Sequence, residues 1–504
     1  MSQRALVNVL GEKVHYQEIP SSLFDAYFST QQQEVVPACV VLPGSAQDVS
    51  QAIKVITQHE CIFAVKSGGH AMFTGASNAP EGITIDLRNL NSLQISDDRK
   101  ITAIGSGNRW LNVYDYLDPF NVTVVGGRDV DVGVGGFLLG GGISFISRRH
   151  GWGLDNVYNY ELVLANGSIS IIHRASNPDL YWALRGGGKN FGIVTRFDMF
   201  THVDTEMWGG VNILLLDDMH DRLAILGIPR KFEWTTTALI GKTAEYINKL
   251  ICKVGYCISV DDVASMLGEI ALEAENDIFA HAWAVPIFFS SSQTYLISAE
   301  MNHGKGVEGA PGFGALHRAK KVYKTNRVAR TADFAREITT LNTGGRCSYE
   351  TATFKLDADL QKDIMHIYIE ETEKIRHLKH LLSSIPMQII TKAEIAHFLK
   401  NGSNCLGLDP GDGPLLLLET AMLWTDPKDD ATVLQTSKNI LDRSIALAKE
   451  RGLHHPFLYQ NYAGKRQDVF GSYGEKNLAR LRKIRDEYDP DHVFTRLSPG
   501  YFNV

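Results

Sequence analysis

No stretch of this sequence approaches the ~18 consecutive apolar residues that a membrane-spanning helix needs. The opening segment from Met1 to Gly11 has no apolar core of signal-peptide length, and the closing Tyr501-Phe502-Asn503-Val504 is no recognised address. These absences predict a cytoplasmic protein without a membrane span. A basic excess is lacking too: 50 Lys and Arg against 57 Asp and Glu leave a net charge of -7, which offers no footprint for nucleic acid. Proline is scarce, 16 of 504 residues, and no fixed-period repeat is present, which excludes collagen-like, low-complexity and disordered classes. Six cysteines (Cys39, Cys61, Cys252, Cys257, Cys347, Cys405) are scattered without a C-x-x-C pair. They read as buried reduced thiols of an intracellular protein, not as a disulfide framework or metal site. The histidines show no H-E-x-x-H spacing, so no metal is expected.

Glycine, by contrast, is abundant and clustered. The first cluster is Ser67-Gly68-Gly69-His70. The second packs Gly133, Gly135, Gly136, Gly140, Gly141, Gly142, Gly151 and Gly153 into 21 positions, and the third is Gly186-Gly187-Gly188 with Gly192. Glycine lacks a Cβ and tolerates positive φ, so backbone can approach a ligand and present N–H groups to an anion. A diphosphate-bearing cofactor lying across several such loops is the simplest explanation for the second cluster, while the third also reads as a set of tight turns. A Rossmann unit is excluded, because Gly133-x-Gly135 is followed by Leu138 where G-x-G-x-x-G needs glycine.

The chain alternates short β-rich runs and helices from Val35 to about Phe200, including a helix opening at Ser45 with a capping pattern to Asp48. A hairpin is expected around Asn166-Gly167. Past residue 205 the texture changes. Amphipathic stretches at 240–254, 261–275, 358–382 and 427–451 alternate with strand runs Val211–Leu216, Cys347–Phe354, Pro386–Thr391 and Leu415–Trp424. That pattern suggests an antiparallel sheet covered on one face by helices. The last fifty residues change again, to a Tyr/Asn-rich strand at Leu458–Tyr462 and a helix at 474–487. Within Leu415–Trp424, Glu419 follows four leucines, and a carboxylate there is costly to bury unless paired or functional. The basic stretch from Arg318 to Arg330 reads either as a solvated face or as an anion-binding rim.

Several motifs together resemble one family: Lys66-Ser67-Gly68-Gly69-His70; Val132-Gly133-Val134-Gly135-Gly136 running on to Ser144; Gly151-Trp152-Gly153 with Asn156; Asn177-Pro178-Asp179 through Gly188; Tyr459-Gln460-Asn461-Tyr462; and Tyr488-Asp489-Pro490. They are similar to the berberine bridge enzyme-like FAD-linked oxidases, of the vanillyl-alcohol-oxidase, PCMH-type flavoprotein fold, in their fungal secondary-metabolism form. The resemblance implies an α+β architecture. A two-subdomain FAD-binding domain would be formed by 1–205 and 456–504, and a cap at 206–455 would roof the flavin.

It further implies FAD bonded covalently through His70, with Lys66, Ser67, Gly68, Gly69, Asp129, Val132, Gly133, Gly135, Gly136, Gly140, Gly141, Gly142, Ser144, Asn156, Gly192, Val194 and Asn461 around it. Many relatives attach the flavin a second time through a cysteine near the position of Asp129, but no cysteine lies between Cys61 and Cys252, so a single attachment is expected. Lys66 stands where the family usually has arginine, and it keeps charge without the bidentate fork. For the base the resemblance points first to Tyr462. Glu419 is second, and Tyr459 third, since strict strand alternation would turn Tyr459 and Asn461 away from Tyr462. Gln388, Thr391 and Lys392 stand where some relatives place a carboxylate base. The implied activity is dehydrogenation of a small secondary metabolite with dioxygen as acceptor and hydrogen peroxide as product. A dehydrogenase using another acceptor and a flavoprotein cyclase remain as alternatives.

Overall fold

The computed structural model describes residues 2–216, 257–339 and 345–504. The expected amphipathic stretch at 240–254 lies outside them. Two small sheets form first. In one, the strands Val14–His15, Cys39–Val41, Ile83–Asp86 and Phe63–Lys66 lie in that order, with Cys39–Val41 and Phe63–Lys66 both parallel to Ile83–Asp86. Their short apolar runs suit strands buried on both faces. The helix Ala46–Gln58 opens where Ser45 Oγ accepts the Asp48 N–H (3.2 Å) and buries Val49, Ala52, Ile53 and Ile56 in the same core. The second sheet is antiparallel, Leu93–Ile95, Ile101–Gly105, Ile193–Phe200, Val157–Val163 and Ile169–His173. Gly167, at φ +77°, turns the hairpin between its last two strands.

The third sheet has eleven strands among the described residues, all drawn from between Met207 and His455. Its centre is a long hairpin, Ala280–Phe289 with Thr294–His303, which the sequence reading passed over. Pro286 hides the first of these strands, since proline in a central strand removes a ladder N–H. Here it sits opposite the gap between the neighbouring strands Leu382–Ser384 and Met387–Ile390, where no ladder bond is required of it. One face of the sheet is covered by the helices Val260–Ala274, Ala358–Ile375 and Asp430–Glu450. Phe288, Ile297, Ala299, Leu416, Leu418 and Met422 point to that side and pack on Leu267, Ile364, Tyr368 and Leu441. Each large aliphatic side chain buried this way contributes ~1.5–3 kcal/mol. The alternate residues face the other way, toward the two smaller sheets.

A buried ion pair ties the layers. Asp155 and Arg185, both 0% exposed, meet at 2.7 Å, and Arg185 also donates to the carbonyls of Lys400, Asn401 and Ser403. Two expectations need correction. Gln460–Tyr462 is a single 3-10 turn, not part of a strand. Cys257 is disulfide-bonded, while Cys39, Cys61, Cys347 and Cys405 are free, so the all-reduced reading fails at Cys257. The basic stretch is partly committed at the surface, with Arg318 paired to Glu269, Arg327 to Glu337 and Arg330 to Asp118. Among the described residues no helix is long and apolar enough to cross a membrane, and no His/Cys/Asp/Glu group could hold a metal.

Candidate active site

A cavity of about 460 Å³ lies between the small sheets and the exposed face of the large one. That is within the usual ~300–1,000 Å³ of small-molecule and cofactor sites. Its floor is built where the strand Phe63–Lys66 runs out into Ser67-Gly68-Gly69-His70. Gly68 lies against Gly133 so closely that a Cβ on either would fall 2.5 Å or less from the other's backbone. Ser67 Oγ clamps the two loops, donating to the Ser106 carbonyl (2.6 Å) and accepting the Gly135 N–H (3.1 Å). Arg109 braces them by donating to the Gly68 carbonyl at 3.0 Å. Gly136 opens onto space, with nothing within 4 Å of where its Cβ would stand. Ser67, Gly68, Gly69, His70, Asp129, Val132, Gly133, Gly135, Gly136, Gly192, Val194 and Asn461 all line the cavity, as do Gly188 and Lys189.

Six other expected cofactor residues do not. Lys66 is drawn beneath the floor by Asp86, its register partner one strand over, at 3.0 Å, and Asp86 also takes Arg88. That buried carboxylate captures the ammonium and keeps it from a ligand. Gly140, Gly141 and Gly142 have side chains pressed against them. A Cβ at these positions would meet Asn461 Oδ1 at 2.0 Å, the Tyr459 ring at 2.6 Å and the Phe137 ring at 2.6 Å, respectively. Ser144 donates its backbone N–H to Ser147 Oγ and keeps its own hydroxyl oxygen buried without a partner, and the Asn156 amide donates to the His150 and Trp152 carbonyls.

His70 stacks on Phe28 with ring centroids 4.1 Å apart. Burial pushes its pKa below the ordinary imidazole value, and the Asp129 carboxylate works against that shift. The ring therefore faces the cavity neutral, with a nitrogen lone pair. Tyr459 and Tyr462 diverge. The 3-10 turn brings Tyr459, Asn461 and Tyr462 all to the cavity, against the strand expectation. The Tyr459 hydroxyl accepts from the Gly142 N–H (3.0 Å), the Ile143 N–H (3.2 Å) and Asn461 Nδ2 (3.1 Å). Its oxygen is committed to holding the glycine loop. The Tyr462 oxygen accepts from Arg128 Nη2 (2.8 Å) and Gln388 Nε2 (3.1 Å). Both donors favour a phenolate. Burial nevertheless raises the Tyr462 pKa, with Arg128 and Gln388 opposing and Glu419 adding to the rise.

The roof alternates along its strands. Trp283, Val285, Ile287 and Phe289, then Ser298 and Glu300, then Glu419, Ala421 and Leu423 face the cavity. Glu300 and Glu419 are 3% and 5% exposed, and each has a carboxyl oxygen without a partner. Burial lifts both to about 8, with Arg128 opposing. Arg128 lies flat on Trp283, 3.5 Å from the ring centroid, with His281 Nε2 3.4 Å from its Nη1. Arg128, His281, Trp283 and Glu300 escaped the sequence reading. Glu300 carries the same signal as Glu419, a lone carboxylate in an apolar strand, but its strand was missed.

Comparison with known proteins agrees with this geometry. Residues 37–173 match the model of an FAD binding domain and residues 459–496 that of berberine and berberine-like proteins. FAD-dependent monooxygenase FUP4 of Fusarium proliferatum is 37% identical over 94% of this chain and 86% of its own length. The chain belongs to the berberine bridge enzyme-like family. It is an FAD-linked oxidoreductase. FAD-dependent monooxygenase tpcD of Cochliobolus heterostrophus is 35% identical over 96% of the chain and 89% of that protein. In fold the enzyme is similar to xylooligosaccharide oxidase from Myceliophthora thermophila (TM-score 0.73, 19% identity, 98% of this chain and 97% of that one). Glucooligosaccharide oxidase from Acremonium strictum is similar too (TM-score 0.71, 18% identity, 100% and 98%). The floor fits FAD on its own evidence: two glycine loops in backbone contact, an open edge at Gly136 and a neutral imidazole facing the cavity.

Proposed function

We propose that this chain is an FAD-dependent oxidase that removes two hydrogens from a small organic substrate, with dioxygen as acceptor and hydrogen peroxide as product. The observation that carries the reading is the Tyr462 oxygen, held by Arg128 and Gln388 between the glycine floor and the cap roof. The division of labour follows the expected boundaries, with 1–205 and 456–504 holding FAD and 206–455 covering the substrate. FAD, when bound, supplies the two-electron acceptor. His70 is the attachment residue, its neutral nitrogen available for bonding. The similar glucooligosaccharide oxidase is described with a 6-S-cysteinyl, 8α-N1-histidyl FAD. This chain has Asp129 and no cysteine from Cys61 to Cys252, so attachment is through His70 alone.

Tyr462, in the phenolate form that Arg128 and Gln388 favour, takes the proton from the substrate's hydroxyl or activated carbon and becomes a neutral phenol. Glu419, lifted by burial to about 8, orients the substrate by hydrogen bonding while protonated and is the second candidate for the base. The roof side chains exclude water from the reacting centre.

Reoxidation of the dithionite-reduced holoenzyme in air-saturated buffer tests the oxidase reading. Return of the yellow colour within seconds, with hydrogen peroxide stoichiometric with flavin, is expected. Slow return would leave a dehydrogenase. The monooxygenase names of the relatives favour a second reading, in which one oxygen atom enters the product. Isotopically labelled dioxygen, followed into product by mass spectrometry, separates the two.

A further inference from the structure

We infer that the cavity is built for a largely apolar substrate with a hydroxyl edge, a phenol or an enol, and that Arg128, Glu300 and Glu419 read that edge. This rests on the cavity being the substrate site of the oxidase proposed above. The walls away from the polar groups are Val285, Ile287, Phe289 and Leu423. Polarity is gathered at one place. The Arg128 guanidinium is 6% exposed and forms no ion pair among the described residues. Trp283 covers its face, so only its N–H edge is offered. Around it stand three buried acceptor oxygens without partners, Glu300 Oε2, Glu419 Oε1 and Gln388 Oε1.

A buried polar atom left unpaired costs about 1–3 kcal/mol, so these atoms call for a ligand that completes them. The ligand must donate to the carboxyl and amide oxygens and accept from the guanidinium. A hydroxyl does both. An ammonium would donate but would bring a second cation against Arg128. A carboxylate would accept from Arg128 and from Glu300 and Glu419, which burial keeps protonated, but it leaves the Gln388 oxygen without a donor. A sugar carries hydroxyls on every side, and the aliphatic wall would leave most of them unpaired. A phenol or enol presents oxygen on one edge and an apolar plane elsewhere, which is the division the cavity shows. Loss of its proton places the growing charge beside Arg128 and Tyr462.

The test is a set of probes of one shape. Naphthol, naphthalene and naphthylmethylamine are titrated into the holoenzyme and followed by their own fluorescence, and cellobiose is tried as a displacer. Naphthol is expected to bind about tenfold to a hundredfold more tightly than naphthalene, the range of a hydrogen bond to a charged group. Naphthylmethylamine should bind more weakly than naphthalene, and cellobiose should displace nothing. Arg128→Gln should bring naphthol to the level of naphthalene, and Arg128→Lys should recover part of the difference. Naphthylmethylamine or cellobiose binding as tightly as naphthol would overturn the inference. So would an unchanged naphthol-to-naphthalene ratio in a folded Arg128→Gln. If that variant does not fold, the order of probes on the wild type decides alone. Flavin content and peroxide yield are measured on the same preparation. Their failure sinks the oxidase reading, whereas a wrong probe order with both intact sinks only this one.

Discussion

Beneath the cavity, polar groups are matched to one another: Asp155 to Arg185, Lys66 to Asp86, the Tyr459 hydroxyl to two backbone N–H groups, Ser67 to the Ser106 carbonyl and the Gly135 N–H. Above it, Glu300, Glu419 and Gln388 hold oxygens that nothing in the protein completes. Among the described residues, the floor's pairs fix backbone in place and leave only neutral oxygens, Ser106 Oγ and Gln460 Oε1, unpaired at the cavity, whereas the roof leaves two carboxyl oxygens unpaired there. Tyr459 and Tyr462, three residues apart with ring centroids 4.7 Å apart, stand one on each side of that division.

The sharpest way to break the comparison is to exchange the tyrosines' fates. Tyr462→Phe should lower kcat by about 10²–10⁴-fold, the scale of a lost general base, with the melting temperature little changed. Steady-state rates and thermal melts on one preparation check both halves. Asp155→Ala attacks the floor. It leaves Arg185 buried without its carboxylate and should lower stability by about 3–5 kcal/mol, read by denaturant unfolding.

Glu419→Gln sharpens the contrast by its sign. A carboxyl lifted from 4.5 to about 8 stays protonated in the folded chain while the unfolded chain ionises. The unfolded state then binds fewer protons, so stability falls as pH rises across that window. The glutamine variant should escape the fall and exceed wild type by on the order of 2 kcal/mol at neutral pH, while matching it below the window. Melts at the two ends of the window measure this, and equal slopes would put Glu419 with the matched groups of the floor. Smallest is Tyr459→Phe. It should cost about 1–2 kcal/mol through the unpaired Gly142 and Ile143 N–H groups, with a far smaller kinetic loss than Tyr462→Phe. Equal kinetic losses would erase the distinction.

The same division governs what could be read without coordinates. The His70 loop was legible because only a ligand or a close backbone explains Gly68-Gly69 after a strand. Close backbone and close ligand make the same demand for glycine, so sequence alone does not tell a cofactor at Gly140, Gly141 and Gly142 from the Asn461, Tyr459 and Phe137 side chains that press on them. The pairing of Lys66 with Asp86 could not be read, because Asp86 comes from a neighbouring strand that local pattern does not reveal. Glu419 stood out against four leucines in a strand read with its correct limits. Glu300 did not, because Pro286 disguised the hairpin that carries it. Arg128 has no local signal at all, and only the meeting of its loop with Trp283, His281 and Tyr462 gives it a role.

The central claim is that FAD is bonded to this chain through His70 alone. Acid precipitation of the purified wild type and of His70→Ala, followed by flavin fluorescence of the pellet and the supernatant, tests it directly. The account predicts that flavin stays with the wild-type pellet and is released entirely from the variant. Flavin released from the wild type, or retained by His70→Ala, would contradict it.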